Sequence, residues 1–415
     1  MKIHNLIKDN MNGANAQALD SNSTPFTQET ADVFENRYIT LIDSLLKKAV
    51  LLKASDIHIE PYDKKRSRIR IRIDGLLHTT RQINASDHNS LCTRLKIMSG
   101  LDIAEKRLPQ DGSFQQNIDG RIIDFRTATI PTAFGEKIVL RILDSKNYLR
   151  PLSSLGFSPH DEKQVTTMIK RPQGLILASG PTGCGKSTTL YSLLNLRNTE
   201  AMNIMTVEDP IEINIPGMNQ TQVNEKQGLT FGAGLRAILR QDPNIIMLGE
   251  IRDEETAMAA FRAALTGHLV LSTLHTNDVI STLDRLIDMK VPVYLIASLL
   301  EGILSQRLVR LLCPKCKKPH LSSPRETAAL KLKEPSLLYE PVGCPACHQS
   351  GYIGRRGIFE VLKLTDPLRD IIRPDNRQEI HHLWGQHFTP FSAGIRTLIM
   401  KGVTSYNEGI RIISL

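Results

Sequence analysis

Residues 180–188 have the types and spacing that bind a polyphosphate. They cover the pattern G-x-x-x-x-G-K-[ST] and one residue beyond it, and are in order Gly180, Pro181, Thr182, Gly183, Cys184, Gly185, Lys186, Ser187 and Thr188. An apolar run at 174–178 precedes them and a helix-like run follows, as a phosphate-binding loop requires. Glycines let backbone N–H groups point at phosphates, Lys186 reaches the terminal phosphates, and the Ser187 hydroxyl takes a Mg²⁺ position. The sequence therefore predicts that the chain binds a nucleoside triphosphate.

Two acidic residues end predicted strands that follow this loop. Glu250 ends the apolar run 245–249 and could hold Mg²⁺ as a Walker B acid, although Gly249 stands where an aspartate is commoner. Glu208 follows the short apolar run 203–207, and a carboxylate there can orient and deprotonate a water that faces the γ-phosphate. The alternative for each residue is an ordinary acid at the end of a strand.

His275 is the third candidate at a strand end. It follows the apolar run 269–273, and its imidazole could sense the γ-phosphate. A single histidine in a loop is also often satisfied by its local surroundings, so the residues alone leave both roles open. The three candidates together predict a hydrolytic site built at the ends of adjacent strands.

Four of the six cysteines form two C-x₂-C pairs with the spacing of a metal site. These four are Cys313, Cys316, Cys344 and Cys347. Four thiolates from two such pairs predict a closed, tetrahedral and structural Zn²⁺ site. Residues 344–348 also match the C-x-x-C-H pattern of haem attachment, but that chemistry requires export and the sequence shows no signal for it. Unbound paired thiols are the remaining alternative.

Composition sets the broad class. The 415 residues allow roughly two to four domains, and a hydrophobic content of 41% supports ordinary globular cores. The formal charge of +9 suits a nucleic acid, an anionic lipid or an acidic partner, although dispersed positive charge usually only keeps a protein in solution. No apolar run approaches about 18 residues and the N-terminus lacks a secretory signal, so we expect a cytoplasmic protein.

Hydrophobic patterning divides the chain into six segments. A helical period and then several alternating strands predict an α+β domain, and later strands that alternate with helices predict a parallel sheet flanked by helices. The predicted segments are a flexible tail at 1–32, the α+β domain at 33–145, a linker at 146–159, an α/β P-loop domain at 160–312, a zinc-binding excursion at 313–351 and a helical C-terminal region at 352–415.

Four segments then occur in a recognisable combination. They are the phosphate-binding loop, residues 208–212 (Glu-Asp-Pro-Ile-Glu), residues 239–253 around Glu250, and residues 265–278 around His275. In this combination the chain resembles the secretion ATPase superfamily, the hexameric motors of type II secretion and type IV pilus assembly. The resemblance implies a RecA-like domain that hydrolyses ATP with Mg²⁺, with Glu208 as the catalytic glutamate, Glu250 as the Walker B acid and His275 in the His box.

The α+β segment resembles the N-terminal domain of the same superfamily. In the family two arginines on adjacent strands of this domain neutralise charge during phosphoryl transfer, and Arg126 and Arg141 match their motif and spacing. The alternative is that strand arginines merely face solvent. Ser113 departs from the family, because many relatives carry a basic residue after Gln-Asp-Gly.

The resemblance also implies partners. It implies a homohexamer that associates peripherally with the inner membrane, through a platform protein and membrane-anchored assembly proteins, and no nucleic acid is expected as a partner. The cysteine site and residues 351–360 resemble the assembly and export branch, whereas retraction motors usually lack the zinc. The rival interpretations are a P-loop motor for DNA transfer or uptake, which only the positive charge favours, and a catalytically idle scaffold.

Overall fold

The computed structural model describes residues 28–373 and 377–413. Most of the predicted N-terminal tail, residues 1–27, lies outside the described residues. The first helix, α1, spans Gln28–Leu51, so it begins earlier than the predicted start at Val33 and includes the end of the predicted tail. Residues 28–32 lack the apolar repeat that marked the rest of the helix, which is why the pattern placed the start too late.

The first domain is a six-stranded antiparallel sheet covered by two helices. Its strand order is β3-β2-β1-β6-β5-β4. After α1 its elements are β1 (Asp56–Pro61), β2 (Arg66–Ile73), β3 (Leu76–Asn84), α2 (Ala85–Met98), β4 (Gln110–Ile118), β5 (Arg121–Thr132) and β6 (Gly135–Leu143). The predicted hairpins at residues 74–75 and 119–120 are both present.

Strict alternation explains why this sheet packs on one face. In β2 the isoleucines Ile69 and Ile71 are buried, whereas the alternating arginines at 68, 70 and 72 lie half-buried on the other face. Both isoleucines join a core with the apolar faces of α1 and α2. The arginines are not simply solvated, because Arg70 pairs with the buried Glu60 at 2.7 Å.

The second domain is a seven-stranded sheet with helices on both faces. Two short helices, α3 (Ser145–Tyr148) and α4 (Leu152–Leu155), lead into it. Its elements up to its sixth strand are α5 (Pro159–Ile169), β7 (Gly174–Ser179), α6 (Lys186–Asn195), β8 (Ile204–Glu208), β9 (Met218–Gln222), α7 (Phe231–Ile238), β10 (Ile245–Leu248), α8 (Glu254–Leu265), β11 (Leu269–Leu274), α9 (Val279–Asp288), α10 (Val293–Leu299) and β12 (Leu300–Leu312).

A small excursion and a return to the sheet complete the chain. The remaining elements are β13 (Lys318–Leu321), α11 (Pro324–Ala329), β14 (Leu337–Glu340), β15 (Tyr352–Lys363), α12 (Asp366–Asp370), α13 (Arg377–Trp384), α14 (Phe391–Met400) and α15 (Tyr406–Ile412). Strands β13 and β14 pair only with each other. Among the described residues, none of the helices combines the length and the apolar character that crossing a bilayer requires.

The order of the large sheet is β15-β12-β7-β11-β10-β8-β9. All of its pairs are parallel except β12 with β15. The prediction of an α/β P-loop domain preceded by a smaller α+β domain is therefore confirmed.

Three details of the sequence prediction are wrong. Residues 352–363 are a strand, so the C-terminal region is helical only from Asp366 onward. The predicted linker at 146–159 contains α4 and most of α3, and Leu152 and Leu155 are buried against the P-loop domain. Strand β12 was not predicted, because it begins directly after helix α10 and no turn residue separates the two elements.

Candidate active site

The predicted site residues come together at one edge of the large sheet. The central strands β7, β11, β10 and β8 are parallel neighbours, so their carboxyl ends lie side by side. The phosphate-binding loop follows β7, His275 follows β11, Glu250 follows β10 after one glycine, and Glu208 ends β8. Ligands of open α/β sheets bind at such carboxyl ends, which makes this edge the candidate active site.

The phosphate-binding loop has the backbone that its sequence predicts. Gly180, Gly183 and Gly185 all have positive φ, at 140°, 77° and 94°. Lys186 begins helix α6, and its ammonium donates to the carbonyl oxygens of Gly180 at 2.6 Å and Pro181 at 3.3 Å. The loop therefore surrounds the Lys186 ammonium, and phosphate oxygens bound there would replace the two carbonyl oxygens as acceptors of its hydrogen bonds.

Two of these glycines are required by close contact as well as by φ. A Cβ on Gly180 would lie 2.4 Å from the carbonyl oxygen of Gln306, and one on Gly185 would lie 2.9 Å from the Gln306 amide nitrogen. Gln306 on β12 also accepts a hydrogen bond from the Thr189 hydroxyl at 2.7 Å. Strand β12 thus supports the loop from below, a contact that the motif itself does not predict.

Glu250 forms the centre of a charged cluster. Its carboxylate lies 3.4 Å from the imidazole of His275 and 2.5 Å from the guanidinium of Arg252, which also lies 3.2 Å from Asp209. Burial lowers the pKa of Lys186, and the negative charge of Glu250 opposes part of that effect, so the two groups interact electrostatically. Lys186, Glu250 and His275 therefore lie in one electrostatic site.

Glu208 lies deeper than the other candidates and is only 4% exposed. Its Oε1 accepts from the Thr206 hydroxyl at 2.6 Å and from the Gln220 amide at 3.0 Å, and its Oε2 accepts from the Tyr191 hydroxyl. The partners come from β8, β9 and α6. A buried carboxylate requires such donors, because an unpaired one would be costly.

The small domain reaches this edge through Arg126. Its guanidinium lies 3.6 Å from the Glu212 carboxylate, in the loop that follows Glu208. Arg141 stands opposite Arg126 in the β5–β6 register and lies 3.4 Å from Asp56 of its own sheet. Arg141 remains 59% exposed, so one arginine contacts the P-loop domain and its neighbour is accessible.

The four predicted zinc ligands form a compact cluster. The sulfur atoms of Cys313, Cys316, Cys344 and Cys347 all lie within 4.8 Å of one another. Backbone N–H groups of Cys344 and Gly351 donate to the Cys347 sulfur at 3.1 and 3.2 Å. Burial alone would raise the pKa of Cys347, but these hydrogen bonds outweigh it and lower the pKa to about 7, which favours the thiolate that binds metals.

Comparison with known proteins identifies the family. The family described as type II/IV secretion system protein matches residues 33–411. The chain is 46% identical to the type II secretion system ATPase E of Vibrio cholerae serotype O1, over 90% of this chain and 75% of that protein. It is equally similar to the type II secretion system protein E of Dickeya dadantii, with the same coverage. The chain belongs to the type II/IV secretion system protein family. It is an ATP hydrolase of this family.

Solved structures agree with the family fold. The pilus retraction motor PilT with bound ADP has a TM-score of 0.61 at 27% identity, and the match covers 90% of this chain and 96% of that one. The Legionella pneumophila ATPase DotB has a TM-score of 0.67 at 22% identity, over 94% and 97% of the two chains, which supports the fold alone.

Sequence reasoning missed three residues around this secretion ATPase site. Tyr191, Gln220 and Arg252 contact the candidate acids, yet only Arg252 stood inside a recognised segment. Tyr191 had a usable signal, because it follows Ser187 by one helical turn and so lies on the same face of α6. Gln220 had none, because it lies on β9, a strand that the pattern did not predict.

Proposed function

We propose that this secretion ATPase is a Mg²⁺-dependent motor that powers assembly of a type II secretion pseudopilus or a type IV pilus. The observation that carries the proposal is the placement of Lys186, Glu208, Glu250 and His275 at one edge of the sheet, with Arg126 of the small domain touching the same edge. A catalytically idle scaffold would not require this complete set.

The nucleotide site divides the work of hydrolysis among these residues. The backbone amides of residues 180–188 and the N-terminus of α6 bind the phosphates of ATP, and Lys186 leaves its two carbonyl partners for phosphate oxygens. Glu208 accepts the proton of the attacking water, and His275 senses the γ-phosphate beside Glu250. Positioning and charge neutralisation supply most of the rate in such reactions.

Mg²⁺ fits the oxygen donors at this edge. Ser187 follows Lys186 at the start of α6, and the Glu250 carboxylate, 19% exposed, lies close enough to affect Lys186. When bound, the ion neutralises charge on the phosphates. The Ser187 hydroxyl would hold it directly, and Glu250 would hold it through water, because Mg²⁺ keeps several of its waters.

Zn²⁺ fits the four sulfur atoms. A tetrahedral site with zinc–sulfur bonds of about 2.3 Å places its sulfur atoms about 3.8 Å apart. The Cys313–Cys344 and Cys316–Cys347 separations are both 3.8 Å, and the Cys344–Cys347 separation is 3.7 Å. All four positions are filled by protein, so the ion would be structural and would fix the excursion that carries the two-stranded β13–β14 sheet.

The coupling between the two domains supplies the motor stroke. Arg126 and Arg141 would approach the γ-phosphate as the small domain moves, so that ATP hydrolysis is coupled to movement of that domain. We further propose a homohexamer on the cytoplasmic side of the inner membrane, where a platform protein and membrane-anchored assembly proteins receive the stroke. The names of the relatives, type II secretion system ATPase E and protein E, support the assignment of the motor to a secretion system.

A matched pair of variants tests the assigned chemistry. Glu208→Gln should bind ATP with normal affinity and hydrolyse it at least about 100-fold more slowly, because a carboxamide cannot accept the proton. Glu200→Gln is the control, since this exposed acid lies in the turn before β8, at the opposite end of the same strand. Phosphate release measures turnover. Normal turnover by Glu208→Gln would exclude Glu208 as the base.

A further inference from the structure

Tyr191 is the largest buried side chain beside the proposed base. The ring is fully buried on α6, one helical turn after Ser187, and its hydroxyl donates to Oε2 of Glu208. Burial is the main cause that raises the pKa of Tyr191, and the Glu208 carboxylate raises it further. The hydroxyl therefore stays protonated and remains a donor to the carboxylate at physiological pH.

The other donors to Glu208 leave one acceptor position for the reaction. Thr206 and Gln220 occupy Oε1, and Tyr191 occupies one side of Oε2. A carboxylate offers about four lone-pair sites, so a single site remains after these three bonds. The Tyr191 hydroxyl fixes the orientation of the remaining lone pair on Oε2, because it is the one hydrogen-bond partner of Oε2 among the described contacts.

The same hydroxyl also connects the base to the small domain. It accepts a hydrogen bond from the backbone N–H of Glu212 at 3.3 Å, and the Glu212 side chain lies 3.6 Å from Arg126. A continuous path therefore leads from Arg126 through Glu212 and Tyr191 to Glu208. Helix α6 carries both Lys186 and Tyr191. One helix would therefore position both the nucleotide phosphates and the Glu208 carboxylate.

We propose that Tyr191 is a positioning residue for the ATPase reaction, which orients the Glu208 carboxylate and ties it to the loop that meets Arg126. This inference rests on the proposed role of Glu208 as the base. In this role Tyr191 contacts Glu208 instead of ATP or the attacking water. Its effect on turnover therefore passes entirely through Glu208.

The test is a double-mutant cycle in the full-length chain. Tyr191→Phe keeps the ring and removes the hydroxyl, and should lower kcat about tenfold with nucleotide affinity unchanged within about twofold. In a Glu208→Gln background the same change should alter the single-turnover rate less than about twofold, since Tyr191 acts through the base. Fluorescent ATP binding and phosphate release report the two quantities.

Tyr352→Phe is the matched control for the lost hydroxyl. Tyr352 is also buried and its hydroxyl is bonded to Ser405 at 2.6 Å, but it lies on β15 away from Glu208. It should cost similar stability and leave kcat unchanged. If Tyr191→Phe unfolds below the assay temperature, Thr206→Val removes a different hydrogen-bond donor to Glu208. This variant should show the same loss of kcat, and it should have no effect on the rate in the Glu208→Gln background.

The possible failures are distinguishable. Fast hydrolysis by Glu208→Gln alone would refute the base, and with it the proposed function of that residue. A slow Glu208→Gln in which Tyr191→Phe, or Thr206→Val in its place, still lowers the rate tenfold would refute only the positioning role. Wild-type kcat in Tyr191→Phe would refute it as well.

Discussion

Arg126 and Arg141 face each other across β5 and β6, and each one pairs with an acid, Arg126 with Glu212 of the P-loop domain and Arg141 with Asp56 of its own sheet. Directly opposed residues of an antiparallel pair lie on the same face of the sheet, so the two guanidinium groups point the same way. Arg126 meets Glu212 of the P-loop domain, whereas Arg141 meets Asp56 on β1. Two like charges this close require such partners, and a polyphosphate between the domains would be a further one.

Loss of the P-loop lysine should abolish turnover without unfolding the protein. Lys186→Ala removes the cation that reaches the terminal phosphates. Among the residues that the structure describes, the lysine ammonium donates hydrogen bonds only to the loop carbonyls of Gly180 and Pro181. We expect no measurable phosphate release and a melting temperature close to wild type. Lys163→Ala, which removes an exposed lysine on α5, is the control. Wild-type hydrolysis by Lys186→Ala would remove the basis of the ATPase site.

The cysteine cluster should behave as a structural metal site. Metal analysis of protein purified without chelator should give one zinc per chain. Cys313→Ser combined with Cys316→Ser should lower thermal stability much more than nucleotide affinity, because zinc binding in small domains contributes about 10–16 kcal/mol to folding. The cluster lies on the excursion and not at the sheet edge that carries Lys186. Wild-type protein purified without zinc, or a double variant as stable as the wild type, would contradict the assignment.

Glu60 should make the small domain sensitive to acid. Burial would raise the pKa of Glu60, but hydrogen bonds from Arg70 and Lys137 outweigh it and lower the pKa to about 2 from an ordinary value of 4.5. A depressed carboxylate pKa stabilises the fold above pH 4.5, and this contribution is lost as the pH falls towards 2.

Glu60→Gln should therefore be less stable than wild type at pH 7, and the difference should shrink as the pH falls below 4.5. Urea unfolding at a series of pH values measures both. Glu225→Gln, which alters an exposed acid in the P-loop domain, should show no such trend. A stability difference that stays constant down to pH 3 would show that Glu60 acts through packing instead of charge.

The positions of the candidate residues were predictable because each one lies at the end of a short buried strand or follows it closely. The phosphate-binding loop, Glu208, Glu250 and His275 all lie at strand ends that apolar runs of four to six residues announce. Parallel pairing then brings those ends together without any further signal. The cysteine cluster was predictable for a similar reason, since two short spacings define its geometry.

The support of the site was not predictable in the same way. Gln306 lies beneath the phosphate-binding loop from β12, and Gln220 reaches Glu208 from β9. Gln306 contacts Thr189, 117 residues away in sequence, from a strand that follows α10 with no turn residue between them. Gln220 lies on β9, whose five residues are mostly polar and show no apolar run. The strand at 352–363 was missed because its glycines at 354 and 357 interrupt the alternation that marks a strand.

The central claim is that hydrolysis on the P-loop domain requires arginines from the small domain. Phosphoryl transfer gains about 10³ to 10⁵ in rate from such arginines, which act on charge that develops in the transition state. The full-length chain allows the direct measurement, in which kcat and ATP affinity are compared for Arg126→Ala, Arg141→Ala and the control Arg81→Ala. Arg81 is an exposed arginine on the edge strand β3 of the same sheet.

The account predicts that Arg126→Ala and Arg141→Ala each lower kcat by at least about 100-fold, with ATP affinity changed much less and Arg81→Ala equal to wild type. If both variants hydrolyse ATP at the wild-type rate, the arginines only pair with Glu212 and Asp56, and the coupling between domain movement and hydrolysis is wrong.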